Sequence, residues 1–293
     1  MKKGKKKAAD SMVATSVPES SLEHNATGLP YIIVFLFACL IYGNTLWNQY
    51  ASDDAIVLTE NIYVQKGFGG IQDIFTHDVF EGFFKEKKSL VAGGRYRPLS
   101  VATFAVEYGL FGLNPMLSHA VNVVLFAVTC LLIYYLLMQL LPLSSTTPFY
   151  VSIPFLASML YAAHPIHTEA VANIKGRDEI MSMLFAIAAL TASVLYVSKG
   201  AKWLVVAVAA MFLSLLSKEN SVTFLAVVPL TFYFFTKATP KQYFAAVAAV
   251  FIPTVLYLAL RSQFAASGLA EESSEILNNP FVGATFAQRY ATP

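Results

Sequence analysis

Asp53-Asp54 follows an apolar run that ends at Trp47. Adjacent carboxylates at a boundary between water and lipid can divide labour, one accepting a proton from an incoming hydroxyl while the other holds a substrate or raises its neighbour's pKa. Arg95-Tyr96-Arg97-Pro98 sets two guanidinium groups two residues apart, each able to fork onto phosphate oxygens, and Lys218, beside Glu219, adds a point charge. In His164-Pro165-Ile166-His167-Thr168-Glu169 two imidazoles lie three residues apart, which on a helix puts both on one face. No third His or Cys is spaced to complete a metal site with them, so the expectation is hydrogen bonding to an anionic substrate and no metal. Arg177-Asp178 and Arg261 complete the candidate set. Each residue also has a plainer reading, as a solvated loop charge or as an arginine reaching for lipid headgroups.

The elements that must position these groups are apolar. Of 293 residues, 56% are hydrophobic and 13% charged, too little polar surface to cover a soluble globule. Seven apolar stretches, 30–47, 118–141, 149–163, 180–197, 203–217, 221–235 and 243–260, contain no Asp, Glu, Lys or Arg. A hydrocarbon core of about 30 Å takes roughly 20 helical residues, so 149–163, 203–217 and 221–235 are short, and the last two form either a helical hairpin or a re-entrant pair. The pattern predicts an all-α polytopic membrane protein of about seven transmembrane helices. Lysines 2, 3, 5, 6 and 7 precede the first span, and Lys199, Lys202, Lys237 and Lys241 fill two connections on one side. The positive-inside rule makes that side, and the N-terminus, cytoplasmic.

Residues 1–28 read as a disordered basic tail, 29–260 as the transmembrane module, and 261–293 as the start of a further external segment that is cut short. The first span reads as an uncleaved anchor. Asn25-Ala26-Thr27 matches a glycosylation sequon but falls on the cytoplasmic side. Cys39 and Cys130 lie in apolar runs and make no disulfide framework. The long connection 48–117, external in this topology, is punctuated by Gly67-Phe68-Gly69-Gly70 and Gly93-Gly94, and its run Leu99 to Phe111 predicts an amphipathic helix along the interface, opened by Pro98 and closed by Gly112. No nucleotide-binding glycine loop, Ser-His-Asp set or nucleic-acid signature is present.

Seven phrases occur in one order. They are Ser52-Asp53-Asp54-Ala55, Tyr96-Arg97-Pro98-Leu99 with Thr103-Phe104, Phe111-Gly112-Leu113-Asn114-Pro115, and His119 to Val123, followed by His164 to Val171, Gly176-Arg177-Asp178-Glu179 and Ser217-Lys218-Glu219-Asn220. In these the chain resembles, over roughly residues 30–293, the membrane half of TMTC-type O-mannosyltransferases and their bacterial relatives, GT-C glycosyltransferases whose C-terminal part carries tetratricopeptide repeats. No such repeat lies within this chain. The resemblance implies a polyprenyl- or dolichyl-phosphate sugar as donor, no cofactor, and a hydroxyl acceptor, typically Ser or Thr of an exported protein. It implies an inverting displacement with Asp53, or Asp54 beside it, as catalytic base while Arg and Lys groups stabilise the departing phosphate; one-sided placement at span ends makes Arg95, Arg97, His164, His167, Glu169, Arg177, Asp178, Lys218, Glu219 and Arg261 the candidates for donor-phosphate or substrate binding. The resemblance places the chain in a bacterial inner membrane or, alternatively, the endoplasmic reticulum. A lipid-linked sugar flippase and a non-catalytic anchor for a repeat scaffold remain as alternatives.

The lysine placement makes a topological prediction. A thiol reagent applied from outside should label Gly93→Cys and spare Ala201→Cys; the reverse pattern would put the candidate set on the cytoplasmic face.

Overall fold

The computed structural model describes residues 28–51, 53–86, 95–141, 143–144, 147–264, 283–285 and 288. The tail before Gly28, the Asn25 sequon, Gly93-Gly94 and most of 261–293 lie outside the described residues.

Among the described residues all regular structure is helical, in the order α1 (Leu29–Tyr42), α2 (Ile71–Thr76), α3 (Val79–Phe84), α4 (Pro98–Phe111), α5 (Pro115–Leu140), α6 (Ile153–Ala163), α7 (His167–Ala172), α8 (Arg177–Lys199), α9 (Lys202–Ser217), α10 (Phe224–Phe235) and α11 (Pro240–Phe264), joined by short turns. Four segments are long and apolar enough to cross a membrane: Leu29–Trp47, Pro115–Leu140, Ile174–Lys199 and Pro240–Phe264. At 1.5 Å per residue, the two of 26 residues reach about 39 Å, beyond the thickness of the hydrocarbon. The three short apolar stretches are also helices, but α9, with 16 residues, extends only about 24 Å.

The apolar faces behave as lipid demands. Helix α1 buries Val34, Ala38 and Tyr42, one position per turn, against α5 and α6, and exposes Ile32, Leu36 and Leu40. Where the only solvent is hydrocarbon, exposed leucine carries no penalty, and helices associate instead through close packing of small residues. Ala189, Ala192 and Ser193 of α8 are buried, as are Ala207 and Ala210 of α9, and the Ser214 hydroxyl donates to the Ser182 carbonyl at 2.6 Å. Gly200, at φ +92°, permits the tight return between these two helices. Gln242 at the start of α11 donates to the Val197 carbonyl near the end of α8, so Lys199, Lys202, Lys237 and Lys241 gather at one end of the bundle. The chain direction then carries Asp178, Lys218 and Arg261 to the other end.

That polar end is roofed by the 48–117 connection, which has its own core. Val57, Leu58, Val64, Ile74, Val79, Val101, Phe104 and Ala105 pack together with Ile174 from the segment before α8. Asn61 organises this core: its amide donates to the Ile56 and Val79 carbonyls and accepts from the Tyr63 and Val64 N–H groups. A Cβ on Gly82 would lie 2.4 Å from the Asn61 oxygen, so the close approach requires glycine.

Helix α4 departs from the sequence expectation of an amphipathic helix lying on the interface. Ser100, Val101, Ala102, Phe104, Ala105 and Glu107 are all buried, because the helix is apolar around most of its circumference and inserts between the roof and the bundle. Glu107, a lone acid in that run, is buried for a reason. Fully buried Arg177 donates to Glu107 Oε1, to Thr103 Oγ1 at 3.1 Å, to Asn122 Oδ1 at 2.8 Å and to the Ser118 carbonyl at 3.0 Å, and its guanidinium lies 4.1 Å from the Phe104 ring centroid. Glu107 Oε2 accepts from Ser118. One ion pair thus fastens α4, α5 and α8.

Removing one member of such a pair strands a buried charge. Glu107→Leu should destabilise the protein by about 3–5 kcal/mol, whereas Glu107→Leu with Arg177→Met should recover most of the loss. Thermal unfolding in detergent checks both, and a silent single variant would contradict the network.

Candidate functional site

The site is built on the turn between α7 and α8. A Cβ on Gly176 would stand 2.2 Å from the Ala170 carbonyl oxygen, so only glycine lets the chain double back this closely. Asn173 and Asp54 both accept from the Lys175 N–H, at 3.1 and 2.9 Å. The other Asp54 oxygen accepts from the Ala51 N–H at 2.7 Å. Asp54, only 1% exposed, therefore staples the first connection to the start of α8 with its two oxygens committed to backbone amides. Of the two adjacent carboxylates, Asp53 lines the cavity and Asp54 does not.

That cavity, about 550 Å³, opens beside the turn. Its charged lining comprises Asp53, Arg95, Arg97, Glu169, Lys175, Asp178, Glu179 and Lys218, and its wall includes Phe126, Tyr161 and His167. The signs balance, four cations against four carboxylates. Asp53 Oδ2 accepts from the Lys175 ammonium at 2.8 Å, and this hydrogen bond and charge hold the Asp53 carboxyl below the usual carboxylate range, with Arg95 adding to the effect. Arg95 is placed by the roof. Asp78 caps α3 by accepting from the Phe80 N–H at 2.8 Å, Val79 N–H donates to the Arg95 carbonyl at 3.1 Å, and the guanidinium rests 4.9 Å from the Phe80 ring centroid.

Arg97 is differently employed from the sequence expectation. Its Nε and Nη2 donate to the two oxygens of Glu219 at 3.0 and 2.7 Å, a bidentate fork, and Nη1 donates to Asp178 at 2.7 Å. The fork that a phosphate would need is filled here by carboxylates, and Arg97 ties the ends of α8 and α9 to the roof while lining the cavity. Lys218 pairs with Glu179 across the same helix ends. Arg177, expected at the substrate, lies in the interior instead, because its donors are needed by Glu107, Thr103, Asn122 and Ser118.

The histidines separate. His167 lies in the wall with its ring 4.3 Å from Tyr161 and 5.4 Å from Phe126, centroid to centroid, and burial, with His164 adding, pushes it below the usual imidazole range. At neutral pH it is an uncharged hydrogen-bonding group. His164 is exposed, spends Nδ1 on the Ile166 N–H at 3.2 Å and does not line the cavity. Among the described residues no group of three or more His, Cys, Asp or Glu is arranged to hold a metal ion. Arg261 lines a second, more apolar cavity of about 430 Å³ with Glu219, Tyr257 and Leu258, so the Arg97–Glu219 pair shows one partner to each cavity. Lys175, Glu107, Asn122 and Glu179 are absent from the sequence-derived set. Glu107 had a signal, being the only charge in an apolar run, whereas Lys175 had none beyond its place before Gly176-Arg177.

Because Arg97 neutralises two carboxylates at 11% exposure, Arg97→Ala should cost about 3–5 kcal/mol of stability and Arg97→Lys somewhat less, since an ammonium cannot make the fork. Lys218→Ala, which frees the half-exposed Glu179, should cost about 1 kcal/mol or less. Unfolding temperatures in detergent give the ranking, and an Arg97→Ala as mild as Lys218→Ala would remove the clamp.

No protein-family model matches the chain, and no solved structure matches it. Curated relatives do. Protein O-mannosyl-transferase TMTC1 of Homo sapiens is 35% identical over 155 residues, covering 53% of this chain and 17% of that protein. Protein O-mannosyl-transferase F38B6.6 of Caenorhabditis elegans is 32% identical over 189 residues, 64% of this chain and 26% of its own length. Protein O-mannosyl-transferase TMTC2 of Mus musculus is 30% identical over 199 residues, 64% and 22% respectively. The match therefore spans about a sixth to a quarter of the length of these relatives. Over that stretch, the chain is related to the TMTC-type protein O-mannosyl-transferases.

Proposed function

We propose that this chain forms the catalytic face of a membrane glycosyltransferase of the inverting GT-C kind, which moves a sugar, mannose by the names of its relatives, from a polyprenyl or dolichyl phosphate to the hydroxyl of Ser or Thr in an exported protein. The observation that carries the reading is Asp53: a half-exposed carboxylate on the rim of a cavity at the polar end of apolar helices, with the cations Lys175 and Arg95 beside it. A hydroxyl nucleophile needs a proton acceptor, and a departing lipid phosphate needs positive charge, within one small space. In a single displacement Asp53 takes the hydroxyl proton as the oxygen bonds to the anomeric carbon, and the bond to the phosphate oxygen breaks on the opposite face. The reaction belongs on the periplasmic or lumenal side, of a bacterial inner membrane or of the endoplasmic reticulum, where exported protein is met and no nucleotide is required.

A flippase fits less well. The charged groups Arg177, Glu107 and Asp178 sit at or near helix ends, whereas transporters bind at the membrane midplane on broken helices.

In the full-length protein, Asp53→Asn keeps the shape and loses the base, so single-turnover transfer should slow by roughly 10²–10⁴ while titrated donor affinity persists. Undiminished transfer by Asp53→Asn would exclude it as the base.

A further inference from the structure

Paired as it is, Asp53 is not an available base. Its Oδ2 is occupied by the Lys175 ammonium at 2.8 Å. A carboxylate paired in this way stays ionised but is a poorer proton acceptor, and proton abstraction must first displace the ammonium.

The surroundings decide which cation is able to move. Arg97 is held by two carboxylates, Asp178 and Glu219, and Arg177 is interior with Glu107, whereas Lys218 pairs with half-exposed Glu179 and so masks no group proposed as the base. The Arg95 guanidinium rests on the Phe80 ring, and its charge acts on the Asp78 and Asp53 carboxylates without a direct ion pair among the described residues. Lys175 has a partner, but Asp53 is 55% exposed on its side chain and is readily hydrated when released. The backbone of Lys175 is pinned by Asp54 and Asn173, while its four-carbon stem leaves the ammonium free to swing about a fixed root.

We propose that Lys175 is an exchange latch: without donor it neutralises Asp53, and when the phosphodiester of a lipid-linked sugar enters the cavity it moves onto the phosphate beside Arg95, releasing Asp53 only in the loaded site. The proposal rests on the reading of the cavity as a lipid-phosphate sugar site. In the reaction that follows, Asp53 accepts the proton of the acceptor hydroxyl, the hydroxyl oxygen bonds to the anomeric carbon, and the carbon–oxygen bond to phosphate breaks with its electron pair. The leaving polyprenyl phosphate gains one negative charge, which the two cations receive. Lys175 is a positioning residue for the base and a ligand of the donor.

The other groups that face Asp53 do not substitute for it. Arg95 approaches from the roof, and Glu169 and His167 come from α7, the latter uncharged. From α8, Asp178 and Glu179 are already paired with Arg97 and Lys218.

The test titrates Asp53 directly in the full-length protein in detergent, by the infrared carboxylate band of 13C-labelled aspartate that disappears in Asp53→Asn. The probe is a ten-carbon isoprenyl phosphate. In the wild type its addition should raise the Asp53 midpoint. In Lys175→Gln the midpoint should already stand higher without probe and move less when probe is added, and probe affinity should fall about 10–100-fold, the loss of one charge-assisted contact. Lys175→Arg should keep the low starting midpoint. A wild-type midpoint that the probe does not move, or a Lys175→Gln protein with unaltered midpoint and affinity, would overturn the latch. Transfer from an isoprenyl-phosphate sugar is scored in parallel: exchange without transfer supports the latch and defeats the proposed function, and transfer without exchange does the opposite.

Discussion

Arg97 holds two carboxylates that would otherwise repel each other at the meeting point of α8, α9 and the roof. The Lys218–Glu179 pair and the packing of Tyr96 in one core with Ala186, Met211 and Leu215 join the same elements, but the guanidinium is the one group that engages a carboxylate from the start of α8 and another from just past the end of α9 at once. Its geometry explains why the residue is arginine. Two parallel donors fix Glu219 and a third direction fixes Asp178, which a lysine point charge cannot do. Arg97 and Asp178 of this clamp line the cavity together with Asp53, whose neighbour Asp54 fastens the segment to the Lys175 N–H.

The same logic recurs one layer deeper. Arg177 sits beside the clamp in sequence, next to Asp178, yet points into the protein and meets Glu107, Asn122 and Ser118. Successive residues at the start of a helix face about 100° apart, so Arg177 and Asp178 serve different networks. Together the two arginines spend most of the negative charge near the helix ends on structure. Outside these two networks, the cavity lining keeps Asp53 with Lys175 and Arg95, and Glu169 and His167 from α7, while Arg261 lines the more apolar cavity beyond Glu219.

Apolar periodicity and charge exclusion were legible in the sequence because hydrocarbon imposes them residue by residue: every one of the seven apolar stretches is a helix, or most of one, and Pro98 and Gly112 bound α4 as expected. The gathering of Asp53, Arg95, Arg97, His167, Glu169, Asp178 and Lys218 around one cavity also followed from one-sided placement at span ends. Individual employment did not follow. Asp53 and Asp54 are identical in type and adjacent, and only the pairing of one with a backbone amide more than a hundred residues away distinguishes staple from candidate base.

Local composition and the cost of burying charge in hydrocarbon were enough to place this chain in lipid, to make its elements helices and to bring the candidate residues to one end of them. Which cations are already paired depends on contacts between distant helices. An arginine within a phrase such as Tyr96-Arg97-Pro98 looks equally ready for phosphate or for carboxylate, because the guanidinium fork fits both, and only the arrival of Glu219 and Asp178 from distant helices selects the second. Lys175 entered the site for the same reason, its ammonium brought to Asp53 across 122 residues by a turn that Gly176 alone permits.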